Sequence, residues 1–363
     1  MDLKNIKHRG LKMKNRKILW LDALKGFTII FVIIGHVLLG YTNNNAFPLQ
    51  QQLMLKINYW IYSWHMPLFM AISGFAFKVA YLKENKLDKK RINKQILNLL
   101  LIFFIFQLGL CSLRIIFNSF VDSKMDFYKL ILNLFIPDNI MWYVWVLLIY
   151  YFFVEIVYKR IKVSQYIYIY IYIIFIGVTA KLINEYFGII LGIKNLFYCF
   201  PFFIFGIWLA NEYLLKGKIE IKNKTTLLST VYIVFYVFFL SIKNIENFLP
   251  LIKIILEVIN AYAVTVIVFK VFSKIKEIKF LMLCGKESLV VYLLHTYFVT
   301  AIKAFIIRSN FSSVGIIIIL TTIIPLFICL VVAKLSHKIK LLEYVFKPIK
   351  FVQKLKEFRS EKI

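Results

Sequence analysis

Apolar stretches long enough to cross a bilayer recur along nearly the whole chain, and that recurrence decides the fold class. About 20 apolar residues in a helix cross roughly 30 Å of hydrocarbon, and inside lipid only helices or closed barrels satisfy their own backbone. Ten such stretches can be read, near residues 18–41, 58–80, 96–118, 140–158, 165–181, 196–215, 227–242, 249–270, 286–307 and 314–335. The expected architecture is all-α, a polytopic integral membrane bundle of about ten transmembrane helices. Composition agrees, since 61% of the 363 residues are hydrophobic, against about 45–50% in soluble domains.

Charge supplies an independent test. The chain carries 46 Lys and Arg against 18 Asp and Glu, a net +28. In a soluble protein that excess would point to nucleic acid; between membrane spans it marks cytoplasmic loops. Residues 1–17 hold seven Lys or Arg and segment 78–95 another seven, whereas 42–57 holds only Lys56. KRIK, KGKIEIKNK and KVFSKIKEIK follow on the basic side. The alternation predicts an even number of spans with both termini cytoplasmic. The organisation expected is a basic N-tail over 1–17, one membrane domain over 18–336 and a basic C-tail over 337–363. That C-tail interleaves Leu, Val and Phe with lysines, a pattern suited to the anionic inner leaflet. The basic start followed by a long apolar run reads as a retained start-transfer helix rather than a cleaved signal. Cys111, Cys199, Cys284 and Cys329 show no CxxC spacing, which excludes a zinc site or disulfide framework of the usual pattern.

Ionisable groups inside a span are costly and are functional candidates by default. The first span holds Asp22, Lys25 and His36. Eleven residues separate Lys25 from His36, about three helical turns, which places both on one face roughly 16 Å apart along the axis. Asp22 lies one turn before Lys25 and either forms an interfacial anchor pair with it or helps to orient it. His65, in WHMPLFMAISGF, enters the second span from outside. Pro67 cannot donate to the carbonyl of Ser63, so a kink or a late helix start is expected there. Ser73 and Gly74 are small enough to let this helix pack closely, with the helix of His36 as the expected neighbour. His295 sits nine residues into the ninth span. Each histidine alone reads equally as a core residue bonded to a neighbouring helix; three at membrane depth on three spans point to a polar centre. His8 and His337 lie in the tails. Trp142 and Tyr143, in MWYVWV, serve either as interfacial anchors or as a stacking surface for a sugar. The run YIYIYIYII has no motif value.

In order and spacing, LDALKGFTIIFVIIGH, WHMPLFMAISGFAF, KKRINKQILNLLLIFF, WYVWVLLIYYF, FPFFIFGIWL and GKESLVVYLLH resemble the membrane-bound acyltransferase 3 family. The nearest subgroup is the fucose 4-O-acetylase-like sugar O-acetyltransferases. The likeness runs over roughly residues 17–335. It implies a ten-helix bacterial inner-membrane enzyme that moves an acyl group, usually acetyl from acetyl-CoA, onto a hydroxyl of a cell-surface or lipid-linked glycan. The family's basic residue–ten residues–histidine motif falls on Lys25 and His36, and its leading Asp on Asp22. Its paired basic residues after the second span fall on Arg91 and Lys94. The family usually carries Arg where this chain has Lys25, and Lys is a less directional donor to phosphate.

Acyl transfer from a thioester to a hydroxyl needs a base, donors for the oxyanion, and a hold on the polyanionic donor. The resemblance assigns His36 either to proton removal or to brief carriage of the acyl group. His65 would face the acceptor or supply an oxyanion contact. Lys25, Lys78, Arg91 and Lys94 would neutralise the phosphates of acetyl-CoA, the acyl-donor cosubstrate. Ser73, Trp142, Tyr143, Glu287 and His295 are expected to line the acceptor path. No metal and no nucleic-acid partner is expected, and no GxSxG or papain-like cysteine motif is present. The rival reading is a polytopic transporter or flippase that exports glycan intermediates, since intramembrane histidines and a bent helix also suit a transport path. The lack of similarity between the two halves and the basic segment below His36 favour the enzyme.

Overall fold

Each of the ten apolar stretches forms a helix in the structure, a computed structural model that describes residues 18–44, 46–83, 86–116, 127–157, 166–188, 190–242, 249–275, 277–308 and 313–360. In chain order the helices are α1 Leu19–Asn43, α2 Gln51–Tyr81, α3 Lys89–Ile116, α4 Phe127–Phe135, α5 Trp142–Val157, α6 Tyr166–Phe187 and α7 Leu191–Lys216. There follow α8 Asn223–Ile242, α9 Pro250–Phe272, α10 Lys279–Lys286, α11 Ser288–Arg308, α12 Val314–Ser336, α13 Lys340–Phe346 and α14 Pro348–Ser360. Two-residue strands β1 Leu82–Lys83 and β2 Lys86–Leu87 pair antiparallel after α2.

Among the described residues, eight helices are long and apolar enough to cross a membrane. The expected spans near 58–80 and 140–158 are α2 and α5. Helix α2 has 31 residues, but its polar side chains dilute the apolar run. Helix α5 has 16 residues, about 24 Å at the α-helical rise. Both α2 and α3 begin some seven residues before the apolar stretch does, because backbone hydrogen bonding continues through polar turns. The broad apolar surfaces fit a lipid solvent: on α8, Leu227, Val231, Val234, Phe235 and Phe238 are all exposed, more than a water-facing surface normally shows. The basic N-tail, the 159–162 segment and the 243–248 loop lie outside the described residues.

The chain divides into two compact units, one of residues 1–79 and 202–333 and the other of 80–201 and 334–363. In the first, α1 packs against α9, α10 and α11. Trp20 sits in an aromatic nest with Phe75 at 5.3 Å, Tyr213 at 5.6 Å and Phe269 at 6.1 Å between ring centroids. Two backbone-to-backbone crossings hold it together. A Cβ on Gly26 of α1 would stand 1.8 Å from the Leu281 carbonyl oxygen of α10, and one on Gly285 would stand 1.7 Å from that of Asp22. A Cβ on Gly74 of α2 would meet the Phe203 oxygen of α7 at 1.9 Å, and one on Gly206 the Ala71 oxygen at 1.8 Å. Gly74 of α2 therefore faces α7, not the helix of His36 as expected. Sequence spacing shows that a helix can be approached closely but does not name the helix that approaches it.

In the second unit α3 packs on α4, α5 and α14. The fully buried Gln107 donates from Nε2 to the Asn133 carbonyl at 2.8 Å. The C-tail, expected on the leaflet surface, folds as α13 and α14 against α3. Phe346 meets Phe106 at 5.7 Å between centroids, and the Ile349 N–H donates to Asn98 Oδ1 at 3.4 Å.

Candidate active site

Helix α1 carries the first part of the site. Lys25 Nζ and Asp22 Oδ1 are 3.7 Å apart, the one-turn pairing that the i,i+3 spacing permits. Three turns further along, His36 is half-buried. Among the described residues no hydrogen bond holds its ring. The His295 ring of α11 lies 5.1 Å from it, centroid to centroid, and the Tyr62 ring of α2 at 6.2 Å. Tyr62 in turn meets His65 at 4.8 Å. The three histidines picked from separate spans thus lie together within one unit, with His36 between His295 and Tyr62, and His65 on the same tyrosine. Gly35 makes this possible, because a Cβ there would lie 3.0 Å from the Tyr62 ring.

The two flanking histidines are held in the same way. His65 is 1% exposed and His295 fully buried. His65 Nδ1 lies 2.7 Å from the Ile61 carbonyl oxygen. His295 Nδ1 lies 3.0 Å from that of Val291 and 2.8 Å from that of Tyr292. A carbonyl oxygen only accepts, so Nδ1 carries the hydrogen in each ring, and the neutral tautomer keeps its lone pair on Nε2. His295 Nε2 has no partner among the described residues. A buried polar atom left so costs about 1–3 kcal/mol, a cost that an incoming hydroxyl or water removes. Among the described residues no group of three His, Cys, Asp or Glu side chains is placed to hold a metal ion.

Helix α2 runs through Pro67 without a break, so the late helix start is not observed. Ser63 Oγ donates to the Trp60 carbonyl at 2.6 Å and Ser73 Oγ to that of Phe69 at 2.9 Å. Ser73 therefore sits within its own helix, eight residues from His65. Lys78, 5% exposed, pairs with no acidic group among the described residues. Glu287 is half-buried at the joint between α10 and α11, about 12 Å along the axis from His295. Arg91, Lys94, Trp142 and Tyr143 belong to the second unit. There Arg91 and Lys94 are exposed, and Arg91 Nη1 donates to the Ala80 carbonyl at 3.2 Å. Trp142 and Tyr143 are 8% and 6% exposed and meet edge to face at 6.2 Å. They are core residues of that unit and present little ring face for stacking.

Tyr62 and Glu257 escape the sequence reading, although a signal exists for each. Tyr62 lies one turn before His65, and Glu257 is an ionisable group inside the long apolar run of α9. The rule that singles out His36 applies equally to Glu257.

The family model described as an acyltransferase domain, acyltransferase 3, matches residues 18–333. The chain belongs to the acyltransferase 3 family. The match spans α1 to α12, so every histidine of the cluster lies inside the acyltransferase domain. The chain is also 28% identical over 204 residues to Nodulation protein NolL of Mesorhizobium japonicum (strain LMG 29417 / CECT 9101 / MAFF 303099), covering 54% of this chain and 48% of that protein. It thus spans about half the length of this curated relative. No solved structure matches the chain. With its long apolar helices, this chain of the acyltransferase 3 family is a multi-pass membrane protein.

Proposed function

We propose that the protein is an integral-membrane O-acetyltransferase that moves acetyl from cytoplasmic acetyl-CoA to a hydroxyl of a cell-surface or lipid-linked glycan. It acts from the inner membrane with both termini in the cytoplasm. The observation that carries this reading is the gathering of His36 with His295 on one side and Tyr62 and His65 on the other, in a chain of an acyltransferase family. The half-buried ring of His36 has no bond to give up, so it takes the acceptor proton or, briefly, the acetyl group. His65 and His295, with their hydrogens committed to helix carbonyls, present Nε2 lone pairs that accept from an approaching hydroxyl and orient it. Lys25 and Lys78 supply positive charge for a polyanionic donor, with Asp22 steadying Lys25 one turn away. Loss of the thiolate leaving group and attack by the hydroxyl oxygen give an acetyl ester and free CoA, with the hydroxyl proton passing to the base.

The test supplies acetyl-labelled CoA to inverted membrane vesicles that carry wild type or His36→Ala at matched levels. Label passing into lipid or glycan only with wild type is the expected outcome. Equal labelling by both proteins would remove His36 from the chemistry. The absence of acetyl-CoA binding and of label in both would refute the enzyme.

A further inference from the structure

The C-tail packs on α3 by one side and leaves another side open. Phe346 of α13 is 5% exposed against Phe106, and the Ile349 N–H of α14 donates to Asn98 Oδ1. Beyond those anchors, Ile339, Leu341, Phe351 and Leu355 remain 46%, 73%, 47% and 48% exposed. Lys338, Lys340, Lys350 and Lys354 are exposed among them. On α14, Phe351 and Leu355 stand one turn apart, and Lys350 and Lys354 form the adjoining stripe, about 100° round the helix. Large apolar and cationic side chains thus share one open face.

The pattern of α3 fixes the depth of that face. Lys89, Lys90, Arg91 and Lys94 are exposed in its first two turns, and Leu97, Phe104, Ile105 and Leu108 are exposed beyond them. A lipid-crossing helix with that pattern passes from headgroups into hydrocarbon between Lys94 and Leu97. Asn98, which holds the start of α14, is one turn past Lys94, about 6 Å along the axis. Phe106, which holds Phe346, lies about 12 Å deeper still. The joint between α13 and α14 therefore sits where headgroups meet hydrocarbon. The chain reaches the same level by a second route, because only residues 337–339 separate α13 from the end of α12, a helix long enough to cross the membrane.

Such a face suits neither water nor hydrocarbon. Water leaves the large apolar side chains uncovered, and hydrocarbon leaves the ammonium groups unsolvated. A second copy of the chain would press lysine against lysine. The interface of an anionic leaflet covers Leu341, Phe351 and Leu355 with acyl chains and lets the lysines reach phosphate. Residues 337–363 hold eight Lys or Arg against three Glu, and Glu343 is already committed to Lys350. That excess selects anionic over neutral headgroups. We infer that the open face of α13 and α14 is a docking surface for anionic phospholipid, which clamps the tail between α3 and the leaflet. Under the orientation proposed above, this is the cytoplasmic leaflet. The inference does not depend on the acyltransfer reading.

The experiment uses the full-length protein in nanodiscs of phosphatidylcholine, with or without phosphatidylglycerol. Leu355→Cys carries an NBD dye, which the four buried native cysteines do not take up. Nitroxide-labelled phosphatidylcholine in both discs quenches the dye on contact. Quenching should be at least about two-fold stronger in the anionic discs, since each lysine near such a surface strengthens binding about five-fold. High salt, which screens exposed charges, should return quenching to the neutral-disc level. Lys340→Gln, Lys347→Gln and Lys354→Gln together should do the same; Lys350 is left in place because Glu343 already holds it. Phe351→Ser should lower quenching in both discs. If the triple variant fails to fold, the salt comparison on the labelled protein decides. Equal quenching in both discs, no quenching in either, or a gain that survives salt or the three lysine changes overturns the inference. Quenching that falls when a disc holds two copies instead of one assigns the face to a second copy and overturns it as well.

Discussion

Replacing Gly285 with alanine tests the close approach of α1 and α10 on which the placement of Asp22 and Lys25 depends. The added Cβ would stand 1.7 Å from the Asp22 carbonyl oxygen, 2.7 Å from its carbon and 2.9 Å from the Gly26 nitrogen. Carbon and carbonyl oxygen normally approach no closer than about 3.3 Å, so the helices must part by roughly 1.5 Å. Every obstructing atom is backbone, so no rotamer change relieves the clash. Overpacking of a filled core costs about 1–3 kcal/mol, and a rigid obstacle puts this case at or above the upper end. For a unit of this size each kcal/mol lowers Tm by about 2–4 °C, so a fall of roughly 6–12 °C is expected. All four cysteines are buried, so a thiol-reactive fluorogenic dye in detergent reports unfolding. Gly315→Ala is the matched control in the same unit, because no atom lies within 4 Å of its added Cβ; Tm should hold or rise. A fall under about 2 °C for Gly285→Ala, or equal falls for both variants, would refute the crossing.

Pro67→Ala should hold or raise Tm in the same assay, since an interior proline costs a helix about 3 kcal/mol, while acyl transfer falls as the Ser63 carbonyl, two residues from His65, gains the helical N–H that Pro67 cannot supply. Unchanged transfer would show that the proline does not place the histidine. Tyr41→Phe removes the 2.8 Å bond to Thr321 Oγ1 and should cost about 1 kcal/mol. Thr321→Val on top of it should add less than it does alone, measured as a double-mutant cycle. Phe346→Ala should free the C-tail from α3, seen as faster trypsin cleavage after 337, because its ring is 5% exposed against Phe106. Cleavage at the wild-type rate would mean that the docking is held elsewhere.

The fold was legible wherever one physical rule acted locally. Apolar length gave the helices from α1 to α12 that cross lipid, and the cost of a buried ionisable group singled out His36, His65 and His295 before any geometry was known. Helix periodicity placed Lys25 and His36 on one face, and the Lys25–Asp22 pair follows from spacing alone. What the sequence withheld was pairwise. Gly74 declares itself small, but only Gly206 on a distant helix explains why, and the same holds for Gly26 with Gly285. Trp142 and Tyr143 look like surface aromatics from one side of the pattern and are buried by partners that the pattern does not name. Arg91 and Lys94 showed the same limit, since a motif can list four cations in order without stating that two belong to another compact unit. Glu257 is different. Its position inside an apolar run was visible from the start, but a lone carboxylate four residues after Lys253 reads as a helix-surface pair. Only the tyrosine and amide brought in from α2 and from its own next turn show that the carboxylate faces inward. Burial turned an ordinary i,i+4 spacing into an inward-facing carboxylate that accepts from Tyr59 of another helix.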